Sequence, residues 1–386
     1  MNSASEKAEV NMNVLIVTFL VSHSPSGVVT YYKTLANDLR SRNIPVTVIE
    51  STDTPYVWNK TMNIGGHIAR RFGKVINLFY REFAYFVRLY WGVRARRHMG
   101  FTVIHAQDVR SGVAAYFALG RKVPVVLTCH FNDDPISEVL SVMSLRPLFV
   151  NWLTRWYKYL FAHVKNYVFV SQYAYEQSKH LLPADIHKVI LYNTVRIDPQ
   201  SVNPAGRNDS EMVISNVGYI DERKNQKLLI LIGDELRRRG VNDFKIWLIG
   251  DGPKRPEYER LVTDLNLNEQ VKFYGRQAAP WRLVAQTDLY VHTALNDNCP
   301  YSILEAFAVK TPVLALPVGG VPELLPGESG RLQSADPVRA ADQILQHFDL
   351  DKRTKLAEIQ SAYANVKFNH ETALAELISF YQQSVN

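Results

Sequence analysis

Only two of the 386 residues are cysteine, Cys129 and Cys299, and they lie far apart in the chain. That scarcity excludes a disulfide framework or a CxxC metal knuckle, and free thiols in a reducing compartment are the simpler reading. No uncharged apolar run of about 18 residues occurs, so no segment has the length and character of a membrane-spanning helix. The opening MNSASEKAEVN is polar and lacks the apolar stretch of a secretory leader. The expectation is a cytoplasmic protein, whose closest approach to a membrane is as a peripheral visitor on the inner face. RNP, zinc-finger and helix-turn-helix patterns are also missing, which sets nucleic acid aside as a partner despite the basic charge.

The net charge of +7 is unevenly distributed. Residues 1–205 carry 23 Lys+Arg against 13 Asp+Glu, and the remainder carries 21 against 24. A basic first half implies an anionic partner there, or simply a solvated basic surface. With 47% hydrophobic residues, the chain can fill two cores.

Short apolar runs alternate with helical periodicity. Strands are expected at Val14–Phe19, Val46–Glu50, Val103–Ala106, Val125–Thr128, Tyr167–Val170 and Val189–Tyr192, with a helix over Val28–Arg40. After a polar gap, Asp198–Glu211, the alternation restarts at Val213–Val217. It continues through Lys245–Ile249, Val271–Tyr274, Leu289–His292 and Val313–Ala315. This βαβ arithmetic predicts an α/β protein with two doubly wound, Rossmann-like domains facing a central ligand cleft. We place them at 1–200 and 201–365, with a terminal helix in 366–386 packing back toward the first.

Several segments carry candidate chemistry. Gly27, after Ser24-Pro25-Ser26, opens a helix whose first amides suit an anion, although such a loop is also an ordinary turn. Arg223 and Lys224 follow the strand ending at Val217-Gly218, where a guanidinium and an ammonium suit a diphosphate; a solvated loop is the bland alternative. Between a strand and a helix, Asp297 and Glu305 are separated by seven residues, with Ser302 placed to cap or join the first turn. Carboxylates bind vicinal hydroxyls of sugars and riboses.

The segment NDNCPYSILEAFAVKTPVL resembles the acid-x7-acid motif of GT-B glycosyltransferases of family 4, the retaining, metal-independent type. The resemblance extends to Val217-Gly218…Arg223-Lys224-Asn225, Leu248 to Pro253, Val271 to Gly275, Val318 to Glu323, Ile104-His105-Ala106 and Thr128-Cys129-His130. It implies a GT-B fold, no metal cofactor, and a nucleotide-sugar donor such as UDP-glucose. By that resemblance Glu305 holds the donor ribose and Asp297 a hydroxyl of the transferred sugar. The backbone of Asn298, Cys299, Pro300, Tyr301, Ser302 and Ile303 contacts sugar and phosphate. Lys224, helped by Arg223, neutralises the diphosphate, Gly27 and Gly218 allow close approach, Arg276 and Gln277 read the base, and His130 contacts the donor sugar. Two departures stand out: Tyr219 replaces the family's Arg after Gly218, and Asp297 replaces its Glu, or the motif begins one residue late.

Residues 66–100 hold eight Lys/Arg and one Glu among many aromatics, and 146–165 repeat the pattern. Such helices are core elements, or they grip a polyprenyl-linked acceptor or an anionic membrane surface. The expected activity is therefore hexosyl transfer to a glycan or lipid-linked acceptor, in polysaccharide or glycolipid synthesis. A nucleotide-sugar epimerase on the same fold, and a non-catalytic sugar-nucleotide binder, are the rivals.

Overall fold

The computed structural model describes residues 12–24, 26–197 and 211–385. The polar opening, Pro25 and the expected gap Asp198–Glu211 (except Glu211) lie outside the described residues. The chain divides into two compact units, the first running to Leu191 and resuming at Leu374, the second spanning Tyr192–Ala373.

Six strands build the first unit: β1 (Val14–Val17), β2 (Val46–Ile49), β3 (Val103–Ala106), β4 (Val125–Cys129), β5 (Asn166–Phe169) and β6 (His187–Ile190). They lie in the order β2-β1-β3-β4-β5-β6, every pair parallel. Helices on both faces of such a sheet make continuous apolar strands necessary, and β1 and β4 are buried along their whole length. Val14 and Ile16 point into one core with Tyr32 and Leu39; Leu15 and Val17 point into another with Leu127 and Phe169. The last strand begins two residues before the expected position, because His187 and Lys188 are exposed on the sheet edge and their polarity conceals it. Leu374, Leu377, Phe380 and Tyr381 of the helix His370–Val385 join the core of Val14 and Ile16.

The second unit contains β7 (Met212–Val217), β8 (Phe244–Ile249), β9 (Val271–Gly275), β10 (Leu289–His292) and β11 (Val313–Ala315). Their order is β11-β10-β7-β8-β9, again parallel. In each sheet the strand order reverses beside the first strand, between β1 and β3 and between β7 and β10. A crevice opens at the carboxyl ends of strands at such a point, where the flanking loops diverge.

Candidate functional site

In the second unit, the loops leaving β7 and β10 meet at the crevice and are tied to each other. The Leu295 amide donates to the Arg223 carbonyl at 2.8 Å, and the Thr293 hydroxyl to the Lys224 carbonyl at 3.0 Å. These ties bring the Lys224 ammonium onto the carboxylate of Asp297, an ion pair with both side chains mostly buried. Arg223 donates to the Asn296 carbonyl at 3.0 Å and stands 3.9 Å from Asp297 Oδ1. His292 Nε2 lies 3.1 Å from Asp297 Oδ2, and its Nδ1 lies 3.2 Å from the Tyr290 hydroxyl. Burial alone would raise the Asp297 carboxyl, but the Lys224 charge and the His292 hydrogen bond outweigh it and hold the group well below the usual carboxylate range. Burial also lowers His292, so a neutral ring donates from Nε2 to Asp297, a tautomer assigned from its partners. An ammonium has three donors, and only one is used on Asp297. The other two have no partner among the described residues and are available to an anion.

Two glycines make this loop possible. Gly319 has φ +56°, and a Cβ there would stand 2.1 Å from the Asp297 carbonyl oxygen; at Gly320 it would stand 2.4 Å from that of Asn298. The Gly320 amide donates to the Asp297 carbonyl at 3.0 Å.

Glu305 lies in the helix Tyr301–Ala308. Its carboxylate has no hydrogen-bonding partner among the described residues, and burial pushes it up to about 7. Of the two places expected for Ser302, it takes the first turn: Pro300 occupies the cap position without a side-chain bond, and Ser302 is the second helical residue, buried. The Ile303 amide donates to the Pro300 carbonyl at 3.3 Å. The Asn298 amide faces the Asp297 carboxylate at 3.2 Å, and the amides of Cys299 and Ser302 make no hydrogen bond among the described residues. Cys299 is fixed by Asn193, whose amide donates to Sγ at 3.3 Å and whose Nδ2 donates to the carbonyl at 2.7 Å. Burial pushes its thiol up to about 12, so it stays neutral. Gly218 follows β7, and Arg276 and Gln277 are exposed after β9.

In the first unit, a cavity of about 520 Å³ opens at the β1/β3 reversal, lined by Thr18, Gln107, Arg110 and His130. Gly27 opens the helix Gly27–Ser41, capped by the Ser26 hydroxyl, and its neighbour Val28 reaches the same cavity. His130 Nε2 meets Gln107 Oε1 at 2.9 Å, and Tyr31 packs edge-on against the ring at 4.8 Å. Burial lowers His130 to about 3, so it is neutral and its Nδ1 remains an acceptor. Gln107 is buried with its Nε2 unpartnered. Sequence reasoning missed Gln107, His292 and Asn193. The signal for the first two was a polar residue at or just beyond the end of an apolar strand; Asn193 left none.

Residues 25–198 match the family described as Glycosyltransferase Family 4, and residues 198–381 match Glycosyl transferases group 1. N-acetyl-alpha-D-glucosaminyl L-malate synthase of Bacillus anthracis is 24% identical over 261 residues, 64% of this chain and 64% of that protein. The lipopolysaccharide core biosynthesis glycosyltransferase LpsE of Rhizobium meliloti is 32% identical over 151 residues, 38% of this chain and 42% of the relative. The chain thus spans less than two thirds of the length of these curated relatives. The crystal structure of Anabaena Alr3699/HepE in complex with UDP and glucose shares the fold with a TM-score of 0.70, at 19% identity, over 96% of this chain and 100% of that one.

Proposed function

Because the chain belongs to glycosyltransferase family 4, the glycosyl transferases group 1, we propose that it moves a hexosyl unit from a UDP-sugar such as UDP-glucose to a glycan or lipid-linked acceptor, with retention. The observation that carries this reading is a buried Lys224–Asp297 pair at the β7/β10 crevice, with two ammonium donors unused among the described residues.

In the reaction the bond between the sugar's C1 and the diphosphate oxygen breaks, and C1 bonds to the acceptor oxygen. The acceptor proton passes to the departing diphosphate. Lys224 and Arg223 meet the charge that develops on the leaving group, and a preorganised cation at that point lowers the barrier directly. The free amides of Cys299 and Ser302 add donors at a helix start. Glu305 accepts from the ribose hydroxyls, Asp297 orients Lys224 and a sugar hydroxyl, and the backbone at Arg276 and Gln277 contacts the base. Gly27 and Gly218 let the backbone approach the ligand. His130, held by Gln107, offers Nδ1 to the transferred sugar. No step calls on a metal. Among the described residues no helix is long and apolar enough to cross a membrane, and an anionic membrane surface is the proposed peripheral partner.

The direct test is a thermal-shift screen with UDP-, GDP- and ADP-sugars, followed by donor hydrolysis. Saturation at about 100 times Kd stabilises by about 2.7 kcal/mol. UDP-sugars are expected to give that shift; failure of all three classes to stabilise the protein would sink the reading.

Glu305 predicts a pH dependence. A carboxyl at about 7 is protonated below neutrality and ionised above it. If the ionised form accepts from the ribose, UDP-glucose affinity should fall about ten-fold from pH 8 to pH 6. Glu305→Gln should bind weakly and with a flat profile. Calorimetric titration checks both, and an equally pH-dependent Glu305→Gln would assign the titration to another group.

A further inference from the structure

The aromatic surface of the first unit is not used by the chemistry above. Between the helices Lys74–Ala95 and Pro147–Phe161 runs a groove of about 710 Å³, walled by Phe79, Phe83, Phe86, Leu148, Trp152 and Trp156. Phe79 packs edge-on against Trp152 at 4.5 Å, and Trp152 stacks on Trp156 at 6.2 Å. A wall that served only the core would be covered. Here Phe83 is 56% exposed, Leu148 76% and Trp152 46%, an apolar concentration that marks a binding surface.

The groove adjoins the cavity that contains His130. Phe79, Phe83 and Phe86 form one stripe of the helix Lys74–Ala95, and Leu78, Arg81 and Tyr85, on the neighbouring stripe, line the cavity. Glu82 lines both, and its carboxylate is held by Arg110 at 2.5 Å and by the Tyr157 hydroxyl at 3.4 Å. Arg110 neutralises that acid. On the cavity side, Lys74 and Arg81 are exposed, and neither forms an ion pair among the described residues. The apolar groove and the cavity thus lie on neighbouring stripes of one helix and share Glu82, with Lys74 and Arg81 on the cavity side.

We propose that this groove seats the hydrocarbon chain of an anionic, lipid-linked acceptor, with its phosphate met by Arg81 and Lys74 at the edge of the His130 cavity. The adjacency of an apolar groove and two cations selects this occupant. A protein partner or a flat bilayer surface would cover the aromatics without entering the cavity, whereas a chain with a phosphate head uses both chemistries. The term acceptor rests on the transferase reading; the binding itself does not.

Titration of the full chain with dodecyl phosphate, butyl phosphate and dodecanol, followed by tryptophan emission, tests the assignment. Dodecyl phosphate should bind about ten-fold or more tightly than either of the others. Phe83→Asp should weaken it about ten-fold, and Arg81→Glu should abolish the preference for phosphate over alcohol. A bromine-tagged dodecyl phosphate should quench wild-type emission, and the double variant Trp152→Phe, Trp156→Phe should lose that quenching. This pair of changes preserves ring packing, so it does not depend on a disruptive substitution. Affinity independent of chain length, or quenching that survives the double variant, overturns the proposal. So does Phe83→Asp losing sedimentation with phosphatidylglycerol vesicles while keeping dodecyl phosphate, or dissociating a dimer. UDP-glucose binding on the same samples separates the two readings: retained donor binding without dodecyl phosphate binding rejects the groove alone, and the reverse rejects the donor site alone.

Discussion

Replacing Lys224 with alanine is expected to lower kcat by about two to three orders of magnitude, the usual loss when one preorganised donor to a developing anion is removed. Two effects act together. The departing diphosphate loses the ammonium that stands ready for it, and Asp297 becomes a buried anion with only the more distant Arg223 guanidinium, 3.9 Å away, as counter-charge. The second effect also reaches stability. Removing one partner of a buried pair leaves a desolvated charge, and for this slightly exposed pair the loss should be on the order of 3 kcal/mol. Adding Asp297→Ala separates the two. The double variant should recover most of the lost melting temperature and none of the turnover. Turnover restored along with stability would mean that Lys224 serves only to neutralise Asp297, and its role at the leaving group would be wrong.

Gly319→Ala should weaken UDP-glucose binding by at least about ten-fold, although residue 319 is not assigned any ligand contact. A left-handed backbone costs an L-residue roughly 1–2 kcal/mol by itself. Gly327 isolates that part: its φ is +63° and nothing lies within 4 Å of an added Cβ. At Gly319 the same methyl would overlap the Asp297 carbonyl at 2.1 Å, which no side-chain rotation relieves because both atoms are fixed to backbone. The Asp297 loop must move and pull its carboxylate from Lys224. Donor titration and thermal melts of Gly319→Ala beside Gly327→Ala check this. Equal behaviour of the two variants would show that the loop tolerates the displacement.

Much of the fold was readable because parallel strands buried on both faces announce themselves as unbroken apolar runs, as in β1 and β4. The edge strand β6 was less visible because a half-exposed strand tolerates His187 and Lys188. For the site, sequence spacing placed Asp297 and Glu305 on one loop-helix unit. It could not reveal that Lys224 pairs with Asp297, 73 residues away, since that contact depends on β10 lying beside β7 and not on local pattern. The sequence left Ser302 open between capping the helix and joining its first turn; Pro300, which takes the cap position without offering a side chain, decides for the first turn. His292 resembled one more residue of a strand until its partners, Tyr290 and Asp297, were in place.

The core of the first unit holds four side chains from the last helix, and Tyr381 completes a buried line of hydrogen bonds with His105 and Thr128. Those residues are the last of the core to be synthesised. At about 5–20 residues per second, the ribosome needs roughly 10–40 s to make the second unit after the first strand set has emerged. Throughout that interval Val14, Ile16 and Tyr32 lack the cover that Leu377 and Phe380 later supply. The order of birth and the order of completion are therefore inverted: the second unit can close its own core before the first, and newly made chains carry a temporarily open apolar strip that chaperones can recognise.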